Sequence, residues 1–195
     1  MPSDSSVPSR YVGLDVHRHY LVGVAVDRQG AQVLGPIRVE WPDLERWVQQ
    51  HLTQQDAVVF EMTANGLRLH DDLLPHVQSV TVVHPPHLAI ITHAQVKTDQ
   101  KAALALARLH AAGLVPALWI PPEPVRQLRA LVMQRAKMVR LATQAKNRLH
   151  AVLYRLRQPA PAGRLFDPER QAWWLALPVS GFERTQIECD WDTLQ

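Results

Sequence analysis

Between Glu123 and Gln158 the chain runs for 36 residues without a glycine and with its only proline in the first turn, flanked by Pro121-Pro122 and by Pro159-Ala160-Pro161-Ala162-Gly163. Proline and glycine are the residues that stop helices, so a run that lacks them inside and meets them at both ends is one long helix. Spacings of three and four put Val125, Leu128, Val132, Arg135, Val139, Ala142, Lys146, Leu149, Leu153 and Leu156 on one seam, eight of the ten apolar. A lone helix cannot bury such a seam, which predicts a coiled coil over 123–158 that pairs with another segment or another copy, giving a homo-oligomer, dimer or tetramer.

The same helix carries nine basic side chains against one acidic, a net +8, whereas residues 1–122 carry nine against eleven and 159–195 three against six. A solvated exterior would mix both signs; a field this one-sided attracts a polyanion, and nucleic acid is the commonest one in a cell. Arg126, Arg129, Arg135, Lys137, Arg140, Lys146, Arg148, Arg155 and Arg157 are the expected contacts. Trp173 and Trp174 either stack on a base or pack, and their place on a short helix, Asp167–Ala176, favours packing. The acidic end beyond them is weakly patterned and reads as the start of a further, incomplete region, 159–195.

Upstream of the helix lies enough chain for one domain, and 47% hydrophobic residues suffice for its core. One cysteine, Cys189, excludes a disulfide framework and any multi-cysteine zinc site. No apolar run approaches ~18 residues, and the polar Met1–Arg10, read as disordered, lacks the apolar centre of a signal peptide, so no membrane contact and a cytoplasmic location are expected.

Strand patterns at Tyr11–His17, Tyr20–Asp27 and Gln32–Glu40, joined by short polar links, predict an antiparallel meander. A helix from Pro42 to about Leu52, a strand Asp56–Thr63, a helix Leu67–His76 and a strand Ser79–His84 follow. Then come a short helical piece Leu88–Ala94, a helix Asp99–Ala112 stopped by Gly113, and an extended Leu114–Pro121. Strands alternating with helices after a meander predict an α/β fold, a mixed sheet with flanking helices, over 11–122.

Two acids stand where apolar residues are expected, and a third opens a later helix. Asp15 interrupts the first strand, Glu61 ends the fourth, and Asp99 opens a helix. A buried strand-end carboxylate needs a partner: either it caps the turn or it faces a metal ion. Asp99 has its own alternative as a helix N-cap. Three carboxylates at the ends of neighbouring core elements suit magnesium, which takes oxygen ligands from a rigid frame. His17 and Lys97 sit beside these acids, each either a phosphate contact or simply solvated.

The motifs GLDVH at 13–17, FEMTANG at 60–66 and KTDQKAALALARL at 97–109, followed by RLHAVLYRLR at 148–157, resemble the amino-terminal half of the DEDD transposases of the bacterial insertion-sequence 110 family and their pilin-gene-inverting relatives. The resemblance spans about 11–158. It implies an RNase H-like, RuvC-type domain with Asp15, Glu61 and Asp99 as catalytic, metal-binding acids. It further implies Mg2+, a coiled coil that joins subunits, and a downstream domain with a nucleophilic serine. The partners it implies are donor and target DNA and a structured guide RNA that bridges them, with Lys97 a nucleic-acid contact.

Two positions depart from the family. The fourth acid is expected three residues after Asp99, one helical turn on, where this chain has Ala102. Ser180 matches no serine motif, so the chain is expected to lack that domain and to be inactive by itself. The competing class is a catalytically silent RNA- and DNA-binding dimerisation module. A kinase-like ATPase shares the meander but needs glycine-rich phosphate loops that the sequence does not contain.

Overall fold

The computed structural model describes residues 7–84 and 98–194. The expected helical piece Leu88–Ala94, and Lys97, lie outside them. The described residues form two compact units, one up to Ile120 and one from Pro121.

The first unit is built on a five-stranded sheet. Its strands are β1 (Arg10–Val16), β2 (Tyr20–Asp27), β3 (Gln32–Glu40), β4 (Asp56–Glu61) and β5 (Ser79–Val83). The order across the sheet is β3-β2-β1-β4-β5. β1 pairs antiparallel with β2 and β2 with β3, while β4 runs parallel to both β1 and β5. That mixed arrangement, with helices on both faces, is the RNase H-like α/β fold. β2 reads YLVGVAVD and is buried along nearly its whole length because both faces are covered. β3 lies at the edge, is exposed or half-buried except at Val39, and accommodates Pro36, which a central strand could not. Between β2 and β3, Asp27 Oδ1 accepts bonds from the main-chain N–H groups of Gln29 and Ala31, both at 2.9 Å, and Gly30 takes φ +80°, which closes the turn.

One face of the sheet presents Val12, Leu14, Leu21, Ala25, Val58 and Phe60 to α1 (Leu44–His51) and α2 (Gly66–Leu73), through Trp47, Val48, Leu69 and Leu73. The other presents Val22, Val24, Val59 and Val83 to Ala103 and Leu106 of α3 (Asp99–Ala111). Each fully buried valine, leucine or phenylalanine contributes about 1.5–3 kcal/mol, so the two layers together hold the unit. Gly13 is the point of closest approach. A Cβ there would overlap the carbonyl oxygen of Ala103 and come within 2.7 Å of the nitrogen of Ala107, so α3 rests on bare β1 backbone.

Elements end slightly differently from expectation. β1 starts at Arg10 rather than Tyr11, because its guanidinium grips the fully buried Asp56 at 2.8 and 2.6 Å. The strand expected to reach Thr63 ends at Glu61, although Met62 N–H still donates to Val83 O at 2.8 Å. Leu114–Pro121 makes one bridge, Val83 with Ala117, in place of a strand.

In the second unit α4 spans Glu123–Leu156, about 50 Å of helix, and stops at Arg157, whose left-handed φ of 52° lets Gln158 N–H reach back to Leu153 O at 3.0 Å. Two helices, α5 (Gln171–Leu175) and α6 (Gly181–Asp192), fold against its C-terminal part. Leu149, Val152 and Leu153 pack with Trp174, Leu177, Ile187 and Trp191, both tryptophans being fully buried. Among the described residues no helix is long and apolar enough to cross a membrane.

Here two sequence expectations are corrected. Leu149 and Leu153, placed on a seam expected to pair with another segment or another copy, are covered by a segment of their own unit, so only the rest of the seam is left for another copy. The end 159–195, read as weakly patterned, supplies that cover. Trp174 is a packing residue, its indole Nε1 donating to Leu165 O at 3.0 Å. Ser180 is the N-cap of α6 in a capping box with Glu183, which leaves its hydroxyl engaged.

Candidate metal centre

The site forms where β1, β4 and the start of α3 meet. Because β1 and β4 run parallel in register, Leu14 opposite Phe60, the next residues of each, Asp15 and Glu61, end adjacent strands side by side. Alternation along a strand puts both on the face of Gly13 and Val59, which is the face that α3 covers. The Gly13 contact brings the helix down onto β1, and Asp99, its first residue, arrives beside Asp15. The cap of α3 is Thr98, whose hydroxyl accepts from Lys101 N–H at 3.3 Å. Asp99 is therefore relieved of the capping role that its position allowed.

His17 joins the acids and is not simply solvated. Its Nε2 lies 3.2 Å from Asp15 Oδ2 and 3.3 Å from Asp99 Oδ2, and donor atoms of all three residues fall within 4.8 Å of one another. Tyr20 is a site residue that the sequence reading did not single out. Its hydroxyl donates to Asp99 Oδ2 at 2.9 Å, its ring stacks on His17 with centroids 4.6 Å apart, and the Arg38 guanidinium lies 3.5 Å above it. The signal was the two-residue link Arg18-His19: a hairpin that tight registers Val16 with Leu21 and Asp15 with Val22, so Tyr20 shares the face of Asp15.

Electrostatics match a site built for a cation. Burial pushes the Asp15 carboxyl above its usual range, His17 pulls it back and the charge of Asp99 pushes it up again. Burial also raises Glu61, and the charge of Asp15 adds to it. The hydrogen bond to Asp99 raises Tyr20. Half-buried carboxylates that repel one another in a rigid frame are a fitting donor set for a divalent ion, which removes the repulsion. Glu61 stands outside the tight His17 trio and is tied to it through Asp15. Ala102 follows Asp99 by one turn of α3, its N–H donating to Thr98 O at 3.0 Å, and brings no donor.

The expected nucleic-acid contacts divide into two groups. Arg148 binds Asp190, Nε to Oδ1 at 2.8 Å, and Arg155 binds Glu183 at 3.1 Å, so these two fasten α4 to α6. Lys146 lies 5.4 Å from the centre of the Phe166 ring. Arg135, Lys137 and Arg140 are exposed and have no ion-pair partner among the described residues. Arg129 and Arg157 are also exposed, and Arg126 is partly so.

Compared with known proteins, residues 12–157 match the profile of the DEDD family of insertion sequence 110, described as a transposase. No curated protein matches the chain.

Proposed function

Because the chain belongs to the DEDD transposase family of insertion sequence 110, we propose that its first unit is a RuvC-type nucleic-acid-processing domain in which Asp15, Glu61 and Asp99 hold Mg2+. The observation that carries this reading is the convergence of acids from β1, β4 and α3 on one sheet face, where Asp15 and Glu61 are held above the ordinary carboxylate range by burial and by neighbouring negative charge. A transposase of this family acts on DNA and uses a divalent ion, which when bound activates a nucleophile and stabilises the oxygen that leaves phosphorus. The chain's own residues supply the frame. β1 and β4 fix two carboxylates, the Gly13 contact fixes the third, and Tyr20 orients Asp99 through its hydroxyl.

In the second unit, the exposed cations of α4 are assigned to phosphate contacts with DNA and with a structured guide RNA bridging donor and target. The uncovered N-terminal part of the α4 seam is assigned to pairing with a second copy, in the cytoplasm. Ala102 favours a second reading for this polypeptide, a catalytically silent RNA- and DNA-binding dimerisation module that keeps the family's frame with one ligand fewer. Calorimetric titration with Mg2+ tests both. Ala102→Asp is expected to tighten binding by about tenfold or more, and Asp15→Asn to abolish it. Equal binding by the parent and Asp15→Asn would remove the chemical basis of the proposal, while tight binding by the parent equal to Ala102→Asp would remove the silent-module reading.

A further inference from the structure

The donors that meet at the strand ends include a nitrogen. Ligands at right angles around a divalent ion, each about 2.1 Å from it, stand about 3 Å apart. His17 Nε2 stands 3.2 Å from Asp15 Oδ2 and 3.3 Å from Asp99 Oδ2, close to that spacing. The ring is aimed there by more than attraction to the acids. The His17 main-chain N–H donates to Tyr20 O at 2.8 Å in the hairpin, and the imidazole lies against the Tyr20 ring at an interplanar angle of 29°. Tyr20 is itself held from above by Arg38 and from its hydroxyl by Asp99. Tyr20, backed by Arg38, thus helps to hold one imidazole nitrogen between two carboxylates.

We propose that His17 is a metal ligand, and that with Asp15 and Asp99 it forms a two-carboxylate, one-imidazole site that selects a first-row transition divalent cation over Mg2+. The proposal rests on the reading of Asp15 and Asp99 as metal-binding acids and adds a ligand that the family's acids do not include. The imidazole adds a donor to a set to which Ala102 brings none, and an imidazole is not equivalent to an acid. Magnesium holds to oxygen ligands, whereas transition ions gain from an imidazole nitrogen. Losing an acid and using His17 therefore lowers magnesium affinity and shifts preference toward the softer ion.

Mn2+ serves as the probe because its bound form reports ligand nitrogen directly by pulsed electron paramagnetic resonance. The whole chain, His17→Gln and Asp15→Asn are each titrated with Mn2+ and Mg2+, with circular dichroism confirming the fold. The parent is expected to bind Mn2+ at least about tenfold more tightly than Mg2+ and to show nitrogen modulation. His17→Gln is expected to lose that modulation and most of the preference while keeping its Mg2+ affinity. Modulation that persists unchanged in His17→Gln, coming from another of the chain's histidines, or Mn2+ bound tightly with no nitrogen signal, would overturn the role of His17 while leaving the acids as a metal site. Failure of the parent to bind either ion would overturn both.

Discussion

Glu61 and Asp15 each lose hydration at the sheet surface and each faces another negative charge, so in the folded, metal-free chain both hold their protons to higher pH than when unfolded. A carboxyl whose pKa is raised by folding costs stability above that pKa. As pH rises from the ordinary carboxylate range through the raised value, the unfolded chain releases its proton first and the fold weakens. Glu61→Gln removes that cost. It is expected to raise the Tm of the metal-free protein at neutral pH by up to about 3 °C, since the side chain is only half-buried and solvent screens part of the penalty. The gain shrinks as pH falls through the raised pKa and is gone below the ordinary carboxylate range. If Glu61 holds a divalent ion as proposed, the ion is expected to reverse the sign, because the acid would bind it and the amide would not. Thermal melts from pH 3 to 8, with and without metal, check both signs. Equal melting at neutral pH would show that Glu61 bears no such strain.

At the scale of elements, α4 has two kinds of surface on one seam. Its C-terminal part is covered by α5 and α6, while Leu128, Val132 and Val139 remain 63%, 58% and 52% exposed. The self-association proposed for this helix would therefore use its N-terminal part. Replacing Leu128, Val132 and Val139 by glutamate is expected to turn an oligomer into a monomer in sedimentation velocity and leave the fold intact. Leu149→Glu instead puts an unpaired charge in a buried position and should destabilise the second unit by at least about 3 kcal/mol in urea denaturation. A parent chain that sediments as a monomer at micromolar concentration would remove the pairing assignment. The helix itself was legible because its boundaries rest on proline, glycine and a period of 3.6. What covers its end was not, since Trp174, Ile187 and Trp191 meet Leu149 only across a long stretch of chain. The acids Asp15 and Glu61 were legible as charges inside apolar strands. Tyr20 was hidden because an aromatic residue opening a strand looks ordinary until the hairpin register puts it beside Asp99.

Across the whole molecule, charge is segregated, with a net +8 over 123–158 and a slight negative balance before it. Ion pairs with α6 already occupy Arg148 and Arg155, so the part of this charge open to phosphate lies nearer the middle of α4. Each phosphate neutralised on duplex DNA contributes about 0.9 to the slope of log affinity against log salt. Replacing Arg135, Lys137 and Arg140 by alanine is expected to lower that slope by about 2–3, measured by fluorescence anisotropy on duplex DNA and on a structured RNA. An unchanged slope would exclude the exposed middle of α4 as the phosphate-binding surface.

The backbone contact at Gly13 also bears on how such a site drifts through descent. Where two elements touch through side chains, each change of residue size alters their separation, and a ligand set divided between them is lost by small steps that are hard to retrace. At Gly13 strand and helix meet with no strand side chain between them, so at this one point their separation is set by backbone alone. Ligands on the first turn of α3 can then come and go while the frame stays as it is. Position 102, one helical turn on from Asp99, is such a place: an acid put there would stand on the same frame.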